Sequence, residues 1–279
     1  MKARGPHFLG IGAQKAGTTW LHNMLSQNNA IWLPPIKELH YFDEIEADPN
    51  PKKPSPHARR AAKKAILRHI RHAGKELHVP YIHYLSKLGT MPKSNQWYYE
   101  AFNWPLSEGK LCGELTPAYC SLSLDSIRTM RAELGLIKLI FLMRDPVSRA
   151  KSQMRMWIER QKRSTMDLSD WDHFLEYPTL LARSNYQHTI QSYEAVFGPE
   201  NILYLAYGEI SSDPYALLAR VEKFLEVPAA EYPTAKERVH ASHMQVEFPD
   251  IVEQKLSEIL APQYEFLRKK FPDRILSNM

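Results

Sequence analysis

The chain of 279 residues carries a formal net charge of +5 at pH 7, and 44% of its residues are hydrophobic. This composition is typical of an ordered globular protein and excludes an intrinsically disordered chain. The basic balance indicates anionic ligands without requiring nucleic acid. With Cys112 and Cys120 as its two cysteines, the chain has neither a disulfide framework nor a cysteine metal site.

The sequence shows no signal for a membrane. No apolar run approaches the ~20 residues that a spanning helix needs, and no secretory leader precedes the first predicted strand. We therefore expect a cytoplasmic, reduced protein without a transmembrane segment. The oligomeric state is left open.

The first motif in the chain predicts a strand, a tight loop and a helix N-terminus. Residues 8–11 are an apolar run, residues 13–17 form a short loop that ends in a glycine, and helical spacing of apolar residues begins at Thr18. Free backbone N–H groups and the positive end of the helix dipole then point to one place. Lys15 and the hydroxyls of Thr18 and Thr19 add donors there, so the motif predicts a phosphate site.

The loop differs from that of nucleoside triphosphatases. Gly12 and Gly17 have the required separation, but Thr18 stands where the lysine of that motif belongs, and Lys15 lies inside the loop instead. A magnesium-bound triphosphate therefore fits poorly. Taken alone, the loop could also be a strand-to-helix turn that binds nothing.

The segment Gln14–Trp20 resembles the 5′-phosphosulfate loop of sulfotransferases that use 3′-phosphoadenosine 5′-phosphosulfate (PAPS). The resemblance implies that Trp20 stacks on the adenine and that Lys15 acts in catalysis as well as in binding. It implies donor binding by Lys15, Ala16, Gly17, Thr18, Thr19 and Trp20.

A second segment predicts a second anion site. The apolar strand 137–143 runs into Arg144, and a helix over 147–161 begins after Pro146 and carries Ser152. A guanidinium beside a helix start binds an anion. The segment resembles the 3′-phosphate-binding segment of the same sulfotransferases, which implies that Arg144 and Ser152 hold that phosphate. The alternative for Arg144 is a surface pair with an aspartate.

Two later segments extend the resemblance. Tyr207 ends the predicted strand 201–207 and matches the tyrosine that touches the adenine in cytosolic sulfotransferases. Residues 236–242 resemble the late basic loop over the 3′-phosphate, which implies a contact from Arg238. This loop departs from the Arg-Lys-Gly and Lys-Gly-Arg forms of the better-known branches.

Residues 37–42 resemble the Lys-Glu-x-His-Phe-Phe segment of the heparan-sulfate branch, in which the glutamate is the catalytic base. The resemblance implies that Glu38 is the base, and we expect its apolar neighbours to raise its pKa toward neutrality. His40 is the other candidate in the segment, since its ordinary pKa suits a base. The alternative is a loop with a buried aromatic anchor.

Residues 110–119 resemble the Glu-x-Thr-Pro-x-Tyr segment of the same branch. The resemblance implies that Glu114 and Tyr119 lie on the acceptor side, where Glu114 orients the acceptor or acts as a third candidate base. A structural carboxylate paired with a cation is the alternative. Leu115 replaces a lysine common in carbohydrate sulfotransferases, which weakens any inference of glycan specificity.

Between these motifs the chain is predicted to be mostly helical. Residues 44–110 are expected to form a helical insertion, including a basic helix over 57–73 that is either a solvated face or a flank attracting an acidic acceptor or a membrane. Further helices are predicted over 125–134 with Asp125 near the N-cap, within 181–196 with a start near 183–186, and as a pair over 249–271.

Strands that alternate with helices predict an α/β fold with a parallel sheet. The resemblance implies one P-loop-kinase-like domain over 1–279, which transfers a sulfuryl group from PAPS to a hydroxyl of a small-molecule or carbohydrate acceptor. The product would be 3′-phosphoadenosine 5′-phosphate (PAP), and no metal or nucleic acid is expected. The alternatives are an ATP-dependent nucleotide kinase and a non-catalytic binder of phosphoadenosine nucleotides.

Overall fold

The computed structural model describes residues 5–72, 76–161, 166–237 and 246–279. Within these residues, the strands are β1 (Phe8–Gly12), β2 (Ile31–Trp32), β3 (Leu111–Leu115), β4 (Lys138–Met143) and β5 (Ile202–Ala206). All pair in parallel, in the order β2-β3-β1-β4-β5. Every residue of β1 is buried, as expected of a central strand covered on both faces. The predicted α/β class with a parallel sheet flanked by helices is confirmed.

The helices connect these strands and cover the sheet. They are α1 (Thr18–Leu25), α2 (Tyr41–Ala47), α3 (Pro56–His72), α4 (Val79–Thr90), α5 (Asn95–Glu100), α6 (Leu124–Leu134), α7 (Pro146–Gln161), α8 (Leu168–Leu175), α9 (Pro178–Ser184), α10 (Tyr186–Phe197), α11 (Glu209–Ser212), α12 (Pro214–Leu225), α13 (Asp250–Lys270) and α14 (Asp273–Leu276). Short 3-10 turns cover Pro105–Ser107, Pro117–Ser121 and Pro199–Asn201.

The strand order places a crevice at the carboxyl ends of β1 and β4. The chain builds β3 on one side of β1 and then β4 and β5 on the other, so the connections diverge between β1 and β4. Ligands of open α/β sheets bind at such a point. The loop 13–17 follows β1 directly, and Arg144 follows β4, so both predicted anion-binding segments lie at this crevice.

The start of α6 lies within one residue of the prediction, and Asp125 is near the N-cap as expected. The N-cap is Ser123, whose hydroxyl accepts a hydrogen bond from the Ser126 N–H at 3.2 Å. Asp125 instead lies in the first turn, where its charge suits the helix dipole. Serine and aspartate are similarly good caps, so sequence alone did not separate the two positions.

One predicted helix start is confirmed and one predicted division is wrong. The helix predicted within 181–196, with its start near 183–186, is observed as α10 from Tyr186, and the side chain of Asn185 accepts from the His188 N–H at 3.0 Å and so caps it. The helix pair predicted over 249–271 is the single helix α13, which contains Pro262. A side-chain cap and a tolerated internal proline both depend on surroundings that periodicity does not report.

Residues 44–110 hold α3, α4 and α5, so the helical character expected there is present. The description of this stretch as an insertion in one domain over the whole chain stays a prediction. Among the described residues, no helix is both long and apolar enough to cross a membrane.

Candidate functional site

The loop between β1 and α1 leaves the helix start open to a ligand. No side chain caps α1, whose N-cap is Gly17 with φ 90°. A Cβ at Gly17 would lie 2.4 Å from Cδ1 of Ile210, so both the backbone conformation and the packing require glycine. The N–H groups of the first turn therefore lack a side-chain cap, in the arrangement that binds phosphate elsewhere.

Lys15 lies in this loop among other cations. Its carbonyl oxygen accepts a hydrogen bond from Nη1 of Arg144 at 3.1 Å, which ties the ends of β1 and β4 together. Burial, followed by the positive charges of Arg144 and Arg160, lowers the pKa of Lys15. These cations repel one another across the crevice, and a ligand with several negative charges would relieve that repulsion.

Arg144 lies over the ring of Tyr207. Its guanidinium carbon is 4.6 Å from the ring centroid, a cation–π arrangement. The Tyr207 N–H donates to the Met143 carbonyl at 2.7 Å, so the residues following β4 and β5 are held side by side. The structure thus brings together the residue predicted to bind the 3′-phosphate and the one predicted to touch the adenine.

The start of α7 contributes less to an anion site than the sequence suggested. Asp145 accepts the Ser148 N–H at 2.7 Å and also receives the Tyr264 hydroxyl, so a carboxylate already occupies this helix start. Ser152 lies half-buried within the first two turns of the helix. Any second phosphate would therefore depend chiefly on the Arg144 guanidinium and on side chains such as Ser152.

Trp20 lies in the first turn of α1 and is almost wholly covered. Its indole N–H donates to the Ala235 carbonyl at 2.9 Å, and Gln27 in the turn after α1 donates to the Thr234 hydroxyl at 2.9 Å. These bonds fix the segment that leads toward the predicted basic loop. Arg238 itself lies outside the described residues, and stacking of Trp20 on adenine stays a prediction.

The turn that carries Glu38 is joined to the phosphate loop by Lys37. The Lys37 ammonium donates to the Thr19 hydroxyl at 2.7 Å and to Oε1 of Glu38 at 2.9 Å. Glu38 and His40 both have left-handed backbones, with φ 60° and 51°, which non-glycine residues rarely adopt. Such strain is retained where the surroundings hold it and is common at functional sites.

His40 lies between two carboxylates. Its Nε2 is 3.5 Å from Oε2 of Glu38, and its Nδ1 is 2.7 Å from Oδ2 of Asp43. Burial lowers the pKa of His40, but the bonds to Asp43 and Glu38 outweigh this and raise it to about 9. The imidazole is therefore protonated at neutral pH and cannot then accept a proton.

The expected pKa of Glu38 is wrong in direction. Burial does raise it, but hydrogen bonds from His40 and Lys37, together with their positive charges, lower the pKa to about 2. The apolar neighbours in sequence do not decide the shift, because two cations lie nearer. Glu38 is thus a fully ionised carboxylate at neutral pH.

Glu114 and Tyr119 lie beneath this turn, buried in the protein. Oε1 of Glu114 accepts from the hydroxyls of Tyr119 at 2.7 Å and Tyr98 at 3.1 Å, and Oε2 accepts from Thr116 at 2.6 Å and the Leu39 N–H at 3.3 Å. Burial raises the pKa of Glu114 against these bonds. Contact of Glu114 and Tyr119 with an acceptor stays a prediction. In the structure, their hydrogen bonds support the turn that carries Glu38.

Three residues of this cluster had no role in the sequence-based prediction. Lys37 is the first residue of the matched segment 37–42 and Asp43 directly follows it, and the three-residue spacing of His40 and Asp43 was a signal that could have found Asp43. No pattern in the sequence indicated a role for Lys93. Its buried ammonium donates to the carbonyls of Leu39 at 2.7 Å and His40 at 2.5 Å and pairs with Glu44 at 2.8 Å.

Metal ligands are not clustered in the described ranges: no group of three histidine, cysteine, aspartate or glutamate residues there could hold an ion.

Comparison with known proteins identifies the family and the fold of the chain. The model of the sulfotransferase family matches residues 6–231. Among solved structures, a sulfotransferase from Alicyclobacillus acidocaldarius superposes with a TM-score of 0.64 at 21% identity, over 97% of this chain and 98% of that one. A search of curated proteins finds no match.

Two further structures share the fold. The sulfotransferase domain from the curacin biosynthetic pathway has a TM-score of 0.57 at 16% identity, covering 99% of this chain and 98% of that one. The sulfotransferase domain of the Synechococcus PCC 7002 olefin synthase has a TM-score of 0.56 at 17% identity, with 95% and 96% covered. Since the family model spans most of the sequence, the chain belongs to the sulfotransferase family.

Proposed function

We propose that this sulfotransferase takes its sulfuryl group from PAPS and transfers it in line to an acceptor hydroxyl. The observation that carries the proposal is the continuous set of contacts from the phosphate loop to a carboxylate. Thr19, in the first turn of α1 directly after the loop, accepts a hydrogen bond from Lys37, and Lys37 also binds Glu38. A donor in the loop and an acceptor at Glu38 would therefore be held by one connected structure.

The crevice supports a donor with two separate phosphates. The open start of α1 with Thr18 and Thr19 would hold the 5′-phosphate, and Arg144 with Ser152 would hold the 3′-phosphate. Tyr207 already lies against Arg144 and would contact the adenine, as would Trp20 and, beyond the described residues, Arg238. In this proposal no metal is needed, since Lys15 and Arg144 supply the positive charge.

In the proposed reaction, the acceptor oxygen forms a bond to sulfur while the bond from sulfur to the 5′-phosphate oxygen breaks. The leaving oxygen keeps the electron pair, and PAP is released. Negative charge grows on that oxygen in the transition state. Lys15 and the loop N–H groups lower the barrier if they stabilise this charge more than that of the bound donor.

The hydroxyl proton is assigned to the Glu38 carboxylate. A carboxylate with a pKa of about 2 is a weak base, but the hydroxyl becomes acidic as its oxygen bonds to sulfur, so a late transfer to Glu38 is feasible. We assign His40 to orienting Glu38 from one side and Lys37 from the other. Asp43 in turn orients His40.

The buried layer below has a positioning role in this proposal. Glu114, which binds the Leu39 N–H, and Tyr119, whose hydroxyl accepts from the Tyr41 N–H at 3.0 Å, fix the backbone on both sides of His40. Lys93 binds two carbonyls of the same turn. Together they would maintain the left-handed conformations on which the approach of Glu38 to Lys37 and His40 depends.

Donor identity is tested by thermal unfolding with PAP, AMP and ATP with magnesium. A ligand at a hundred times its Kd stabilises by about 2.7 kcal/mol, which raises the Tm by roughly 5–10 °C for a chain of this size. We expect PAP to give such a shift at concentrations where AMP gives little. Arg144→Ala should remove this difference while the Tm without ligand changes little.

Equal shifts with AMP and PAP would contradict the second phosphate site. A larger shift with ATP and magnesium would favour the nucleotide kinase, for which the loop lacks the usual lysine. The non-catalytic binder predicts the same PAP shift and is separated from the proposal by an assay of transfer.

A further inference from the structure

The exposed side of α3 combines positive charge with apolar side chains. We define a basic–apolar surface by the residues Arg59, Arg60, Lys63, Lys64, Leu67, Arg68, Ile70, Arg71, Leu77 and Val79. The six cations are exposed, and helix α3 contains no acidic residue. Within the described parts of the chain, none of the six forms an ion pair.

The apolar side chains lie at one end of this surface. Leu67 and Ile70 are 41% and 46% exposed, and Leu77 and Val79, just before and at the start of α4, are 48% and 67% exposed. On a helix, Leu67 lies between residues four positions before and after it, Lys63 and Arg71. Leu67 is therefore flanked by cations.

The other side of α3 packs against α4. Ala58 and Ala62 are buried, and a Cβ at Gly89 of α4 would lie 2.7 Å from Cβ of Ala62. The two helices thus pack closely, and α3 presents its basic–apolar surface to solvent because the fold leaves nothing to cover it in the described residues.

We propose that the basic–apolar surface docks on an anionic membrane surface. Lysine and arginine are attracted to the negative potential of acidic lipids, and exposed leucine, isoleucine and valine enter the boundary between headgroups and acyl chains. A nucleic acid or another acidic polymer would bind the cations through its backbone charges but would leave the four apolar side chains in water. Their placement among the cations therefore favours lipid.

The surface is connected to the candidate catalytic turn through α3 itself. At the start of the helix, Nε2 of His57 lies 3.3 Å from the Lys37 carbonyl, and its ring is 4.7 Å from that of His40. At 1.5 Å per residue, Ile70 lies about 20 Å farther along the helix. Docking itself does not depend on the reaction. Docking would also bring acceptors in the membrane within reach of the site, and this second part rests on the proposed function.

The test is sedimentation of the full chain with lipid vesicles. We expect binding to phosphatidylcholine vesicles that contain about 30% phosphatidylserine, and at least tenfold weaker binding to phosphatidylcholine alone. Raising the salt from about 0.1 M to about 1 M should remove the binding, since it shortens the range of the attraction. Unfolding temperatures of all variants are measured first, and exposed substitutions are expected to leave them unchanged.

Two double variants test the two parts of the surface. Lys64→Gln with Arg71→Gln should weaken binding about 30-fold, at roughly 1 kcal/mol for each charge. Leu67→Ser with Ile70→Ser should weaken it at least about tenfold without changing the net charge.

Helix α13 offers matched controls. Ile251 and Ile259 are similarly exposed, at 47% and 43%, but lie among acidic residues of that helix. Ile251→Ser with Ile259→Ser should leave binding unchanged. Arg268→Gln with Lys269→Gln removes the same net charge as the α3 charge variant and should also have little effect.

Failure to sediment with the acidic vesicles at low salt would overturn the proposal. So would an equal loss in the α13 charge control, because binding would then reflect net charge alone. Binding to heparin but not to vesicles would replace the membrane with an acidic polymer. A functional donor site with no vesicle binding would reject this inference alone, whereas vesicle binding without a donor site would reject only the proposed function.

Discussion

Asp43→Asn tests the coupling of charges that sets up the candidate base. The proposed mechanism requires Glu38 to be ionised and His40 to be protonated. Asp43 holds Nδ1 of His40 at 2.7 Å, and asparagine keeps the shape of the side chain while it removes the charge. The substitution therefore weakens the preference of His40 for its proton without removing a large group.

The size of the effect follows from the two contacts of His40. Burial alone would lower the pKa of His40, but the bonds to Asp43 and Glu38 raise it from 6.5 to about 9. The bond to Asp43 is the shorter, at 2.7 Å against 3.5 Å. We therefore expect the pKa of His40 to be lower by at least about 1 in the variant, which corresponds to about 1.4 kcal/mol.

The assay is the pH dependence of kcat/KM. A raised pKa keeps the active, protonated form of His40 up to about pH 9, so the wild-type profile should fall only above that pH. In Asp43→Asn the fall should begin at least about one pH unit lower. Asp48→Asn is the matched control, since Asp48 is exposed in the same segment and binds the Asn50 N–H. An unchanged alkaline limb in Asp43→Asn would show that Asp43 does not set the protonation of His40.

Three further predictions concern the loop and the base. Lys15→Ala should lower kcat by about a hundredfold or more with a smaller loss of donor affinity, measured by steady-state kinetics and PAP titration; an affinity loss alone would show that Lys15 binds only the ground state. Glu38→Gln should lower turnover by roughly two to four orders of magnitude with PAP binding retained, and His40→Asn should cost less; the reverse order would make His40 the base. Gly17→Ala should lower the Tm and weaken PAP binding, because its Cβ would meet Ile210 at 2.4 Å; normal binding would show that the loop adjusts without cost.

The local parts of the site could be predicted from the sequence because their signals are local. The predicted strand 8–11 is observed as Phe8–Gly12, and α1 begins at Thr18 as expected. Apolar periodicity, a glycine and a helix start lie within a few residues of one another there, and parallel pairing then brings β4 and Arg144 to the same edge.

The environment of Glu38 could not be predicted in the same way. Its pKa depends on the two left-handed residues Glu38 and His40, which bring the carboxylate close to His40 and Lys37. Non-glycine residues seldom adopt this conformation, and no pattern in the segment indicates it. Lys93, which lies 54 positions from Leu39 in the chain, binds the turn only through tertiary structure, so a reading of neighbouring residues missed it.

Transfer of label from PAPS is the decisive test of the proposed reaction. The protein is incubated with PAPS labelled in its sulfuryl group and a metabolite extract, and both labelled organic product and released PAP are quantified. We predict a new labelled product formed together with an equal amount of PAP by the wild type and Asp48→Asn, and formed roughly two to four orders of magnitude more slowly by Glu38→Gln. Tight binding of PAP without transfer of label to any acceptor would contradict the proposed reaction and identify a non-catalytic binder.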